Sequence, residues 1–213
     1  PRVMQSIAPH LPTHCIVSDA GSTKGDVVAY MQQYLPAHLA YCVPAHPIAG
    51  AEQSGAAAAK VDLYQQKNIV LTPLPQTHAD AIATVQSAWQ ACGGLVQTMT
   101  PQAHDRIFAA VSHLPHVLAF ALVDEIAQRD NANTLLGFAA SGFKDFTRIA
   151  SSHPEMWRDI CLANHQAILT ELQAYQIALQ RMEHALQTQD AQALEGIFTQ
   201  ARDARNAWLN TQP

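Results

Sequence analysis

Hydrophobic residues recur with two different rhythms along the chain. Over the first hundred residues, short β-branched runs alternate with stretches of helical spacing, the rhythm of an α/β layer. Val3, Met4, Ile7 and Leu11 recur at helical spacing, and CIVSDA (15–20) reads as a buried strand running into a Gly21-Ser22 turn. A helix is predicted over about 23–35, with Val27, Met31 and Tyr34 or Leu35 inward. A short strand near 39–43, a loop through HPIAGAEQSG and a strand at NIVLT (68–72) come next. Ile82, Val85 and Trp89 mark an amphipathic helix that Gly93-Gly94 stops ahead of a strand at LVQTM (95–99). Together these elements predict part of a parallel sheet.

After Thr100-Pro101, a good N-cap followed by a residue suited to the first helical turn, the strand signal ends. Ile107, Val111, Leu114, Leu118, Ala121 and Ile126 form one helical stripe, which Pro115 should bend. A loop rich in Asn, Gly and Ser (130–152) leads to Ser152 and Glu155, spaced as a capping box with Pro154 in the first turn. Trp157, Ile160, Ile168, Leu172, Tyr175, Leu179, Met182 and Leu186 predict one long helix, and Leu194, Ile197, Phe198, Ala201 and Trp208 a final one. The expected organisation is α/β plus all-α: residues 1–100 part of a parallel sheet with its helices, residues 101–213 a helical domain. The apolar stripes exceed what such a small bundle buries, which points to a partner subunit.

Composition narrows the function. Lys+Arg 12 against Asp+Glu 17 gives a net charge of -5, so the basic footprint of a nucleic-acid binder is missing. No apolar run approaches the roughly 20 residues of a membrane span, so no membrane partner is expected. Cys15, Cys42, Cys92 and Cys161 are scattered without CxxC spacing, as in buried thiols of a cytoplasmic protein. The start, PRVMQSIAPHLP, reads neither as a signal peptide nor as a natural beginning.

Four segments could carry chemistry. SDAGSTKG (18–25) runs from strand end to helix start; its amides and the Ser22 hydroxyl sit where open α/β folds bind ligands, or it is an ordinary turn. In AHPIAGAEQSG (45–55), His46 is held extended before Pro47 just past a strand end; it is either a neutral proton acceptor or a plain loop histidine. In HDRIFAAVSHLPHVLAFAL (104–122), Ser112 and His116 share a helix face beside Pro115. His113 and His116 could instead ligate a metal, but HLPH matches no zinc pattern, so no metal is expected. In GFKDFTRIASSHPEMWRD (142–159), Arg148 lies near Lys144, Asp145 and Trp157 and suits a substrate carboxylate, or it pairs with Asp to cap a loop.

In this order, DAGSTKG, AHPIAG with AEQSG, VSHLPH with AFAL, and GFKDFTRIA with PEMWRDI resemble the prephenate/arogenate (cyclohexadienyl) dehydrogenase family over essentially the whole chain. The resemblance implies a Rossmann domain for NAD or NADP, and a helical domain that makes a homodimer. It implies oxidative decarboxylation of a small cyclohexadiene, prephenate or arogenate, in tyrosine biosynthesis. By motif, His46 would take the ring hydroxyl proton, and Ser22, with Gly21, would support His46 and the nicotinamide end of the cofactor. Arg148 would bind a carboxylate, Ser112 and His116 would line the cavity, and Asp145, Glu52 and Trp157 would shape or gate it. Two positions depart from the family: Ala51 stands where relatives often have Thr, and Ala140-Ser141-Gly142 where they often have a longer Gly run. No GxGxxG occurs; the family has that motif upstream, so the resemblance implies that Pro1 lies about midway through the cofactor domain and that residues 1–100 are a partial Rossmann-type parallel sheet. The other readings are a non-catalytic helical dimerisation and substrate-binding fragment, or another two-domain dehydrogenase of the hydroxyacid type.

Overall fold

The computed structural model describes residues 1–50, 55 and 59–211. The chain divides into two compact units, Pro1–Ile168 and Leu169–Pro213. In the first, helix α1 (Arg2–Ile7) and helix α2 (Gly25–Tyr34) flank strand β1 (Val17–Ser18), and Leu35-Pro36 turns α2 into a 3-10 segment, Pro36–Tyr41. The strand predicted near 39–43 is therefore confined to β2 (Cys42–Val43), because a proline at the first position favours a helical turn there. β1 and β2 pair in parallel.

One extended segment then does two jobs. Beyond β2 and the buried Pro44 it continues as β3 (Ala45–Pro47), which pairs antiparallel with β4 (Asn68–Leu71); β4 pairs in parallel with β5 (Leu95–Thr98). His46 thus lies within a strand rather than in the loop expected past its end. Pro44 lacks a donor, yet its carbonyl accepts from Thr72 N at 2.8 Å, so the ladder survives the change of partner.

Side-chain alternation covers the layer on both faces. Cys42 joins Met31, Leu35 and Leu74 on the α1–α2 side, whereas Val43 joins Ala45, Ile69, Leu71, Ala81 and Val85 beneath α3 (Ala79–Ala91). Helix α3 ends as predicted at Gly93, whose φ of +84° permits the bonds Gly93 N to Gln90 O and Gly94 N to Trp89 O. A Cβ on Gly94 would stand 2.5 Å from Ile69 Cγ1, so close strand–helix packing also requires glycine there.

The helical run Pro101–Ala127 begins under the Thr100 cap, whose Oγ1 accepts from Ala103 N at 3.1 Å. It consists of α4 (Pro101–Phe108), a π turn (Ala109–His113) and α5 (Leu114–Ala127). The π turn absorbs Pro115, whose ring would collide with the carbonyl four residues back in a regular helix. This run is long and apolar enough to cross a bilayer by length and composition, with mean hydropathy 1.6 over 18 residues. That corrects the expectation that no stretch approaches a span: its histidines and proline interrupt the apolar run without lowering the average much.

The segment expected as a loop is largely helical, with α6 (Ala132–Gly137), α7 (Ser141–Thr147) and a 3-10 turn, Arg148–Ser151. His153, not Ser152, is the N-cap of α8 (Pro154–Ala163), and no side chain caps it; Glu155 pairs with Arg158 instead. The single long helix expected from Trp157 onward breaks at Asn164, and α9 (His165–Gln187) follows. In the second unit, α9 turns into α10 (Ala191–Leu209), where Asp190 accepts from Ala193 N at 2.9 Å as N-cap.

Candidate active site

A cavity of about 730 Å³ opens in the first unit, within the size range of small-molecule sites. One wall is the end of β3 with the residues after it, His46 to Gly50, together with Lys60; the other comes from the π turn, the Arg148–Ser151 turn and α8. Among its described lining residues there are two fixed cations, Lys60 and Arg148, and no carboxylate. Such a cavity favours anions.

His46 reaches this wall because strand alternation sends Ala45 and Pro47 into the core and the imidazole to the opposite face. Its Nδ1 lies 2.8 Å from Nε2 of His104, and His104 Nδ1 lies 2.8 Å from Asp105 Oδ1. A carboxylate only accepts, so His104 carries its proton on Nδ1 and offers Nε2 as acceptor. His46 therefore donates from Nδ1, which leaves its Nε2 without a proton on a ring that lines the cavity. Burial first, then the neighbouring His104 and the Lys24 ammonium, push the His46 imidazolium down to about 3. The ring is neutral at working pH. Phe108 packs at a tilt against both rings, its centroid 5.0 Å from that of His46 and 4.5 Å from that of His104.

Asp105 is held in turn. Burial disfavours its charge, but hydrogen bonds from His104, Lys24 N and Gly25 N outweigh that and hold its pKa below the usual carboxylate value. Those two amides form the N-terminus of α2. The expectation that they point outward for an anion is corrected: a carboxylate from α4 fills the position.

The opposite wall is held by a backbone hydrogen bond and a ring stack. His116 Nδ1 donates to Ser112 O at 2.9 Å, and its ring stacks on Trp157 at 3.6 Å and 18°. Burial, with help from the Arg148 charge, lowers the His116 pKa, so its Nε2 is an acceptor. Trp157 Nε1 is buried without a hydrogen-bond partner among the described residues, a donor left for something else. His113 points elsewhere: its Nδ1 accepts from Asn164 Nδ2 at 3.1 Å, and the same amide reaches Asp105 O at 2.8 Å. Asn164 thereby ties α8 to α4, which accounts for the helix break.

The structure brings together His46, Ser112, His116, Arg148 and Trp157 around one cavity. Asp145 is exposed on α7 and does not line it. Glu52, like Ala51, lies outside the described residues. Ser22 is half-buried beside Gly21 at the carboxyl end of β1; the hydrogen-bond partner of His46 is His104, not Ser22. The Ser22 hydroxyl has no partner among the described residues, and a polar turn at the end of a parallel strand fits the edge of a bound dinucleotide. Sequence reading missed His104, Asp105 and Lys60. The detectable signal was helical spacing, which puts His104 on the Phe108 and Ser112 face of one helix.

Residues 1–98 match the family model described as prephenate dehydrogenase, nucleotide-binding domain, and residues 100–200 match prephenate dehydrogenase, dimerization domain. Cyclohexadienyl dehydrogenase of Zymomonas mobilis is 35% identical over 207 residues, 96% of this chain and 70% of that one. Prephenate dehydrogenase of Bacillus subtilis is 36% identical over 192 residues, 90% of this chain and 52% of that one. The chain thus spans about half the length of the Bacillus enzyme. The crystal structure of prephenate dehydrogenase from Aquifex aeolicus, in complex with hydroxyphenyl propionate and NAD+, superposes with a TM-score of 0.90 at 33% identity, covering 97% of this chain and 71% of that one. With a neutral histidine in a cationic cavity, both family models and these relatives in agreement, the chain belongs to the prephenate dehydrogenase family.

Proposed function

We propose that the protein catalyses oxidative decarboxylation of prephenate, of arogenate, or of both, with NAD or NADP as hydride acceptor. The observation that carries this reading is the chain Asp105–His104–His46, which ends on an unprotonated nitrogen in a cavity with two cations and no carboxylate among its described lining residues. His46 accepts the proton of the ring hydroxyl. The charge it gains is stabilised through Nδ1–H to His104, while Asp105 stays ionised and holds His104 in the required tautomer. A pKa of about 3 is low for this task, and the negative charge of a bound carboxylate substrate raises it toward the operating pH. Arg148 binds a substrate carboxylate, with Lys60 adding charge, and His116 stacked on Trp157 orients the ring. Gly21 and Ser22 border the nicotinamide end of the cofactor, which supplies the hydride acceptor when bound. Departure of the ring carboxylate as carbon dioxide lets the ring become aromatic, which drives the reaction. Glu52 and Asp145 keep a proposed part in gating.

A homodimer accompanies this reading, supported by the dimerization-domain match and by large apolar side chains exposed in the second unit, such as Ile177, Leu186, Phe198 and Trp208. A cytoplasmic location is supported by the four free thiols Cys15, Cys42, Cys92 and Cys161. The test is the rate of reduced nicotinamide formation by the full-length protein, with each substrate and each cofactor in turn. Turnover of at least one pair is expected; none with any pair would overturn the reading.

A further inference from the structure

Lys24 is the N-cap residue of α2 and is completely buried, although lysine stems ordinarily carry the ammonium to water. Its Nζ pairs with Asp19 Oδ2 and donates to Ala45 O at 2.7 Å. Asp19 Oδ1 accepts from Ala45 N at 2.9 Å, and Oδ2 accepts from Gly21 N at 2.7 Å. One ion pair therefore holds both polar backbone groups of Ala45, the residue immediately before His46.

The location explains why side chains are needed. The parallel rungs Val17↔Cys42 and Ser18↔Val43 stop at the end of β1, while the rungs to β4 begin at Ala45 on the other edge. Ala45 would otherwise face its first edge without a strand partner, at the point where the chain must be exact for His46 to meet His104. A side chain on Gly21 is excluded for the same reason, since its Cβ would stand 2.9 Å from Asp19 Oδ2. A buried ion pair is weak evidence for stability, because apolar residues of similar volume often serve folding equally well.

We propose that Lys24 and Asp19 are positioning residues for His46, clasping the backbone of Ala45 so that the imidazole is set against His104. This rests on His46 being the proton acceptor. Among the described residues, the groups facing His46 are His104 and Asp105 from α4, His113 from the π turn and Lys24 from the start of α2, and of these only Asp105 favours the charged ring. The Lys24 charge thus also helps keep His46 neutral.

The test compares wild type, Lys24→Met and Lys24→Met/Asp19→Leu in the full-length protein by thermal unfolding, steady-state kinetics across pH, and NMR titration of His46 without substrate. In the double variant, which leaves no buried charge unpaired, the expected result is unfolding near the wild-type temperature with KM for both substrates within about threefold. Its kcat falls at least tenfold, and the His46 titration and the acid limb of kcat/KM both move up in pH. A double variant with kcat within twofold of wild type and an unmoved titration overturns the proposal. If it does not fold, Asp19→Glu decides by the same split, a drop in kcat at constant KM against no change. An inactive wild type strikes the dehydrogenase reading alone, and the substrate-free titration still decides the clasp.

Discussion

His46 Nδ1 and His104 Nε2 lie 2.8 Å apart across 58 residues of chain, and Asp105 fixes which of them donates. Replacing Asp105 by Asn removes the charge and lets His104 take the other tautomer, which turns the proton on His46 toward the cavity side. The expected loss is about 10- to 1000-fold in kcat, with KM nearly constant, since general base catalysis is worth 10²–10⁴-fold. Uncapping α2 should also cost about 1 kcal/mol, read from chemical denaturation. An unchanged kcat would show that the tautomer does not matter.

The low His46 value has a sign that pH profiles can read. With His46 neutral above about pH 3 in the free protein, kcat/KM at saturating NAD+ should not lose activity to this group between pH 5 and 8. Bound substrate raises the value, so the acid limb of kcat should lie at higher pH than that of kcat/KM. The reverse order would contradict an anionic substrate beside His46.

Stability should follow the same groups. Burial holds His46 near 3 and His113 near 4 in the folded protein, whereas both titrate near 6.5 when unfolded. The unfolded state then binds more protons, so stability is full above pH 6.5 and falls as pH drops toward 4. The slope approaches roughly 1.4 kcal/mol per pH unit for each histidine. Urea midpoints measured from pH 7.5 to 4.5 check this, and Asn at either position should flatten the curve.

In its proposed role, Arg148 would give a substrate carboxylate charge-assisted hydrogen bonds worth about 1.5–3 kcal/mol. Arg148→Leu should therefore raise KM for the carboxylate substrate about 10- to 150-fold and leave KM for NAD+ close to wild type. A drop confined to kcat would remove the carboxylate from its role. Lys60→Ala should have a smaller effect that fades with added salt.

Ile177 and Leu186, 68% and 63% exposed on α9, are the places to test assembly. Glu at both should convert a dimer into monomers in sedimentation velocity without lowering helix content. A dimer that persists would move the interface elsewhere.

Local signals were the legible ones. Thr100-Pro101 and Gly93-Gly94 fixed helix ends because caps depend only on nearby atoms. His46, Ser112, His116, Arg148 and Trp157, which contiguous motifs single out, line one cavity. His104 and Asp105 are harder to single out: spacing puts His104 on the Phe108 and Ser112 face, but its contact with β3 and that of Asp105 with the start of α2 are tertiary. The capping box at Ser152 failed because Glu155 has a nearer partner in Arg158, and the long helix failed because Asn164 is drawn into a tertiary bond.

His46 is the proposed base. Initial rates of His46→Asn against wild type, with prephenate or arogenate and the cofactor that wild type uses, test it most directly. The expected result is a kcat at least 100-fold lower with substrate KM within about threefold. Near-normal turnover by His46→Asn would contradict it.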